Sequence, residues 1–163
     1  MRFNASRAMA HPLLNVRITF MNTTELQECP PEMVTDTCLI DLPLGMLGFE
    51  RIKRFALIAN PGEEPFRWLQ VPDDPSLAFL LVPPFDVLPE YEPELPPEDV
   101  DFLELDSPGD ALMFNIVTLR ANGHATANLK GPIVVNRHTL RGKQVVLANA
   151  ANWSLRHPLP SAD

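Results

Sequence analysis

Positive charge is missing from the middle of this chain. Residues 68–119 hold no lysine or arginine and twelve Asp or Glu, whereas residues 1–67 hold seven basic and eight acidic side chains and residues 120–163 hold six and one. The formal total of −8 therefore hides an acidic centre and a basic last third. The acidic balance argues against nucleic acid as the main partner, because a phosphate backbone is bound by clustered Lys and Arg that displace its counterions. A stretch of carboxylates this long reads either as a docking surface for a basic partner or as a solubilising field.

Cysteine is scarce as well. Cys29 and Cys38 are the only two, and their spacing fits neither a zinc site nor a dense disulfide framework, so reduced thiols are expected. No apolar run approaches the roughly 20 residues that span a bilayer. The leading residues lack a secretory core, since His11, Pro12, Asn15 and Arg17 interrupt every candidate stretch. A soluble, cytoplasmic protein with a flexible leading tail is the expectation.

The usual signatures of catalysis are absent too. No GxSxG elbow occurs, and Gly142 and Lys143 lack the upstream glycine and the following Ser or Thr of a phosphate loop, Arg137 and Gln144 standing there instead. His11, His124, His138 and His157 are scattered without metal-ligand spacing. Carboxylates between Asp86 and Asp110 are numerous, but nothing singles out an acid and base pair. The chain is read as a non-enzyme with no cofactor, no metal and no small-molecule substrate.

Proline is what the sequence has in excess, 18 in all, with clusters at Pro30–Pro31, Pro83–Pro84 and Pro93–Pro97. Such punctuation leaves little room for long helices. Short apolar or β-branched runs lie between the breaks: 37–42, 54–59, 66–70, 78–82, 111–119, 125–129, 132–136 and 143–147. Each has strand length and turn-type borders, among them Asn122–Gly123. The expected fold is mainly all-β, a small antiparallel β-barrel-like domain with one or two short helical turns, the better helix being Pro97–Leu105, where a first-turn proline and acidic residues suit the N-terminus. Trp68, alternating with Phe66, is expected in the core.

Several blocks carry a family resemblance. LPLGMLGFE at 42–50, PFRWLQVPDDPSLAFLLVPPF at 65–85, LPEYEPELPPEDV at 88–100, TANLKGPIVVN at 126–136, KQVVL at 143–147 and WSLRHPL at 153–159 occur in the order found in the flagellar assembly factor W family, which the chain resembles over about 38–159. The resemblance implies a small β-barrel-like protein that binds flagellin in the cytoplasm and/or, as in many bacteria, antagonises the RNA-binding carbon storage regulator, a dimeric translational repressor. Flagellin translation is thereby matched to filament assembly. It also implies chaperone-like protein binding without catalysis, membrane association or direct nucleic-acid binding.

The expected layout is an extension over 1–35, one domain over 36–159 and a tail over 160–163, with Val16–Phe20 alternating as an edge strand would. Candidate protein-binding residues are Asp73, Asp74, Asp86, Glu90, Glu92 and Glu94 for a basic partner, Phe85 and Tyr91 as exposed apolar loop residues, and Asn128 and Lys130 as a second surface. An apolar groove edged by Phe79, Leu81, Phe85 and Tyr91 is expected for an amphipathic helix, although Phe79 and Leu81 also fit a core strand. The rival reading is a β-barrel that binds RNA through Arg137, Arg141, Lys143 and Arg156 of the basic last third.

Overall fold

Strands punctuated by proline turns must pair with near neighbours, and they do. The computed structural model describes Met1 and residues 37–160, so the Val16–Phe20 strand expectation and Cys29 lie outside the described residues. Nine strands form one sheet system: β1 (Thr37–Asp41), β2 (Arg54–Ile58), β3 (Arg67–Val71), β4 (Asp74–Val82), β5 (Ala111–Leu119), β6 (Ala125–Ala127), β7 (Ile133–Asn136), β8 (Gly142–Gln144) and β9 (His157–Pro158). All strand-to-strand pairings are antiparallel. Two short helices, α1 (Pro84–Val87) and α2 (Pro97–Phe102), lie between β4 and β5.

β5 is the fork of the structure. One of its edges pairs with β4 at Asn115–Val117, while its N-terminal half, Ala111–Phe114, pairs with β7 and its C-terminal half, Val117–Leu119, pairs with β6. The β7–β8 arm curls back toward β1, where a parallel bridge between Asp41 and Arg141 and a hydrogen bond from the Asp41 N–H to the Leu140 carbonyl (3.0 Å) close the ring. The β6–β9 arm departs as a wing.

Strand alternation sends side chains to two cores. Cys38, Ile40, Phe55, Leu57, Leu69, Leu81, Phe114, Ile133 and Val135 fill the inside of the curl. The opposite parity, with Leu80, Val82, Met113, Val117 and Val134, packs outside it against Tyr91, Leu95, Leu103 and Leu105 from the α1–α2 region and Leu147 and Leu159 from the C-terminal segment.

The elements differ from expectation in instructive places. β4 begins at Asp74, four residues early, because the hairpin turn is only Pro72–Asp73 and pairs Val71 with Asp74. α1 was not expected; Pro84 occupies its first turn, where a missing N–H costs nothing. α2 stops at Phe102, short of Leu105, since Glu104 turns to φ 55. β8 ends at Gln144 although the Val145 and Leu147 N–H groups still reach the Pro132 and Lys130 carbonyls, because Pro132 has no N–H to return.

Candidate protein-binding surfaces

The carboxylates of the central segment do not form one field. Asp73 and Asp74 are exposed at the β3–β4 turn, where they face Arg51, Lys53 and Arg54 across a groove of about 610 Å3 floored by Val71 and Leu77. Glu90 and Glu92 are exposed in the α1–α2 connection, with Asp86 and Glu94 half-buried beside them. Asp86 lies close enough to support the charge of the half-buried Arg67, whose guanidinium is shifted downward chiefly by burial and donates to the Phe66 carbonyl at 2.8 Å.

The α1–α2 connection is a held structure and not a loose proline loop. Asn149 accepts from the Glu94 N–H (3.1 Å) and donates to the Glu92 carbonyl (2.9 Å), and the Ala148 N–H donates to the Glu94 carbonyl (2.8 Å). Tyr91 anchors it. Expected to be exposed, Tyr91 is instead 0% exposed: its hydroxyl donates to the Leu129 carbonyl at 2.6 Å and its ring meets Trp153 edge-on at 4.7 Å. Burial pushes its phenol well above the usual range. Phe85 is half-buried, 6.0 Å from the Tyr91 ring.

The expected apolar groove is therefore not formed. Leu81 is buried and Phe79 half-buried with the inner core, whereas Phe85 and Tyr91 belong to the outer one, on the other face of the sheet. Sequence alternation within β4 held the warning, since residues 79 and 81 share the parity opposite to 80 and 82.

Asn128 and Lys130 sit where β6 and β7 diverge. The Asn128 side chain accepts from the Lys130 and Gly131 N–H groups (3.0 and 3.2 Å) and the Asn128 backbone carbonyl accepts from the Asn115 side-chain amide, so Asn128 caps the turn at the fork. Asn128 also lines a shallow groove of about 570 Å3 with Ile116, Thr118, Thr126 and Leu155. Trp68 is only half-buried, its indole N–H donating to Glu63 at 2.9 Å.

Part of the basic last third is engaged in contacts within the molecule. Lys143 pairs with the buried Asp99 of α2, and Arg141 lies 4.2 Å over the Phe102 ring. Arg137 is half-buried, leaving Arg156 as the exposed member of the four proposed for RNA. The two engaged cations, Arg141 and Lys143, are thereby less available to a phosphate backbone.

One exposed feature was missed from sequence. The 42–50 loop presents Leu44, Leu47 and Phe49 at 52%, 67% and 36% exposure, and nothing in its sequence beyond the GFE resemblance marks that exposure.

Against known proteins, residues 22–159 match the family model described as FliW protein. The chain belongs to the FliW family. Flagellar assembly factor FliW of Treponema denticola is 38% identical over 77% of this chain and 85% of its own length. The protein of the same name from Clostridioides difficile is 34% identical over 76% and 95%. A crystal structure of the flagellar assembly factor FliW superposes with a TM-score of 0.66 at 35% identity, covering 74% of this chain and 84% of that one. The barrel-like fold is thus the FliW fold. Among the described residues no helix is long and apolar enough to cross a membrane.

Proposed function

We propose that this protein is a cytoplasmic, non-catalytic flagellar assembly factor that holds flagellin and, when released from it, antagonises the carbon storage regulator. The observation that carries this reading is the FliW match over residues 22–159 together with relatives named flagellar assembly factor that align over most of their length. Supporting it is the exposure of Glu90 and Glu92 in the α1–α2 connection, which suits a partner whose RNA-contacting surface is basic. A protein of this kind needs recognition surfaces and no reaction centre, and the polar side chains described above serve turns, caps and ion pairs.

Calorimetric titration of the full chain against its own flagellin, and separately against its own carbon storage regulator, tests the reading. Saturable binding to flagellin is expected, with regulator binding that weakens as salt rises. Failure to bind either protein at low salt removes the proposal.

A further inference from the structure

The wing built from β6, β9 and the end of β5 carries cations that the rest of the molecule leaves unspent. Residues 111–162 contain no Asp or Glu, so a basic side chain on these strands finds no carboxylate along β5 to β9. Elsewhere cations are paired, Arg54 with Asp41 and Lys143 with Asp99. Arg120 and Arg156 are exposed, and among the described residues neither makes an ion pair, although the net charge is −8.

The fold brings these two arginines to one groove. Arg120 follows β5 at the hairpin into β6, where its N–H donates to the His124 carbonyl at 2.9 Å and its carbonyl accepts from Gly123 at 3.0 Å. Arg156 stands in the turn before β9, its N–H donating to the Ser154 hydroxyl at 3.0 Å. Both backbones are thus braced, and both side chains line the groove of about 570 Å3 that Asn128 borders. Along β5, Ile116 and Thr118 alternate with Val117 of the outer core and face the other way, and the register sets Thr118 against Thr126.

The polar groups lining this groove are matched to an anion. A guanidinium donates through five N–H groups and accepts nothing, and the two threonine hydroxyls can donate as well. Asn128 spends its side-chain oxygen on the Lys130 and Gly131 N–H groups, which leaves its amide N–H groups as the end a ligand can use. No carboxylate lines the groove. Donors without a competing carboxylate select an oxyanion, and the guanidinium fork matches phosphate in bidentate geometry. The groove's volume falls in the range of small-ligand sites, about 300–1,000 Å3.

We propose that this groove binds a phosphate-bearing small molecule. Arg120 and Arg156 take its anionic groups together with the Thr118 and Thr126 hydroxyls, and Ile116 and Leu155 pack against its uncharged part. A nucleic-acid backbone is the poorer fit, because a run of phosphates needs a track of cations and Arg141 and Lys143 are engaged elsewhere. A bound anion ties the hairpin end of β5 to the turn before β9, so occupancy stabilises the wing. The proposal does not depend on the protein-binding function proposed above.

Calorimetric titration of the full chain with inorganic pyrophosphate and with ADP is the test, repeated on Arg120→Gln and Arg156→Gln. Both residues are exposed, so the unliganded variants should melt within a few degrees of the parent. Saturable binding at one site is expected, weakened about tenfold or more by each substitution, and the ligand should raise the parent's thermal midpoint. Arg51→Gln, which removes an exposed cation outside this groove, should bind within about twofold of the parent. Absence of saturable binding to both probes at millimolar concentration overturns the proposal, as does parental affinity in both groove variants. Equal weakening by Arg51→Gln means diffuse attraction and overturns the site. A single-stranded RNA that binds more tightly than either probe, and loses that binding in Arg156→Gln, makes the occupant a nucleic acid and overturns the small-molecule assignment.

Discussion

The Tyr91 hydroxyl decides how the acidic connection sits on the barrel. It is the polar end of a fully buried side chain and spans from the α1–α2 region to the backbone beyond β6. Tyr91→Phe keeps the ring and its contact with Trp153 but leaves the Leu129 carbonyl without this donor, so chemical denaturation should report a loss of about 1–2 kcal/mol. Asp110 is the second informative residue. His138 at 2.9 Å and the Ser107 N–H hold its carboxyl below the ordinary value of a free aspartate. Because the unfolded chain takes up that proton first, the stabilisation is complete above about pH 4 and drains away as pH falls through the lower folded-state value. Asp110→Asn is expected to flatten the acid limb of the thermal-midpoint curve while matching the parent's shape near neutrality. The burial of Tyr91 was not legible beforehand, since one aromatic among Glu90, Glu92 and three nearby prolines has the composition of a surface loop. The partners that bury it, Leu129 and Trp153, are distant in sequence.

Among the elements, α2 shows how opposite charges separated along the chain are reunited. A helix of six residues has little stability of its own, and it is fixed to β8 by the Asp99–Lys143 pair and by Phe102 beneath Arg141. Lys143→Met should cost about 2 kcal/mol, because Asp99 stays buried without its cation. The double change Asp99→Asn with Lys143→Met should recover part of that loss in the same unfolding assay. Strand existence was widely readable: eight apolar runs anticipated β1 to β8, because each half-buried strand writes its own alternation and each turn its own Pro, Gly or Asn. What alternation could not supply was the pairing of β5 with three different strands, or β9, whose two residues are too few to carry a period. The α1 turn was hidden by the reflex that proline ends helices, when Pro84 begins one.

At the level of the whole molecule, two exposed regions have opposite chemistry: an apolar loop edged by Arg51 and Lys53, and a carboxylate display around Glu90 and Glu92. Changing the exposed Glu90 and Glu92 together to lysine should slow association with a basic partner several-fold at low salt while the thermal midpoint moves only a few degrees, surface charges being worth under about 0.5 kcal/mol each. Stopped-flow mixing at two ionic strengths checks this. The acidic segment was plain in the sequence as a count, but its division into a β3–β4 cluster facing arginines and an α1–α2 cluster braced by Asn149 depends on the fold. The ring itself has an uneven rim. Six of its seven joins are ladders, and the last, between β8 and β1, rests on the meeting of Asp41 with Leu140 and Arg141. A ribosome making this chain therefore releases β1 to β4 with their greasy concave side uncovered, and no latch exists until the stretch around residue 140 has been synthesised. Newborn molecules pass through a stage in which an unfinished bowl must be shielded from its neighbours, and crowding by other nascent chains is the hazard this architecture carries.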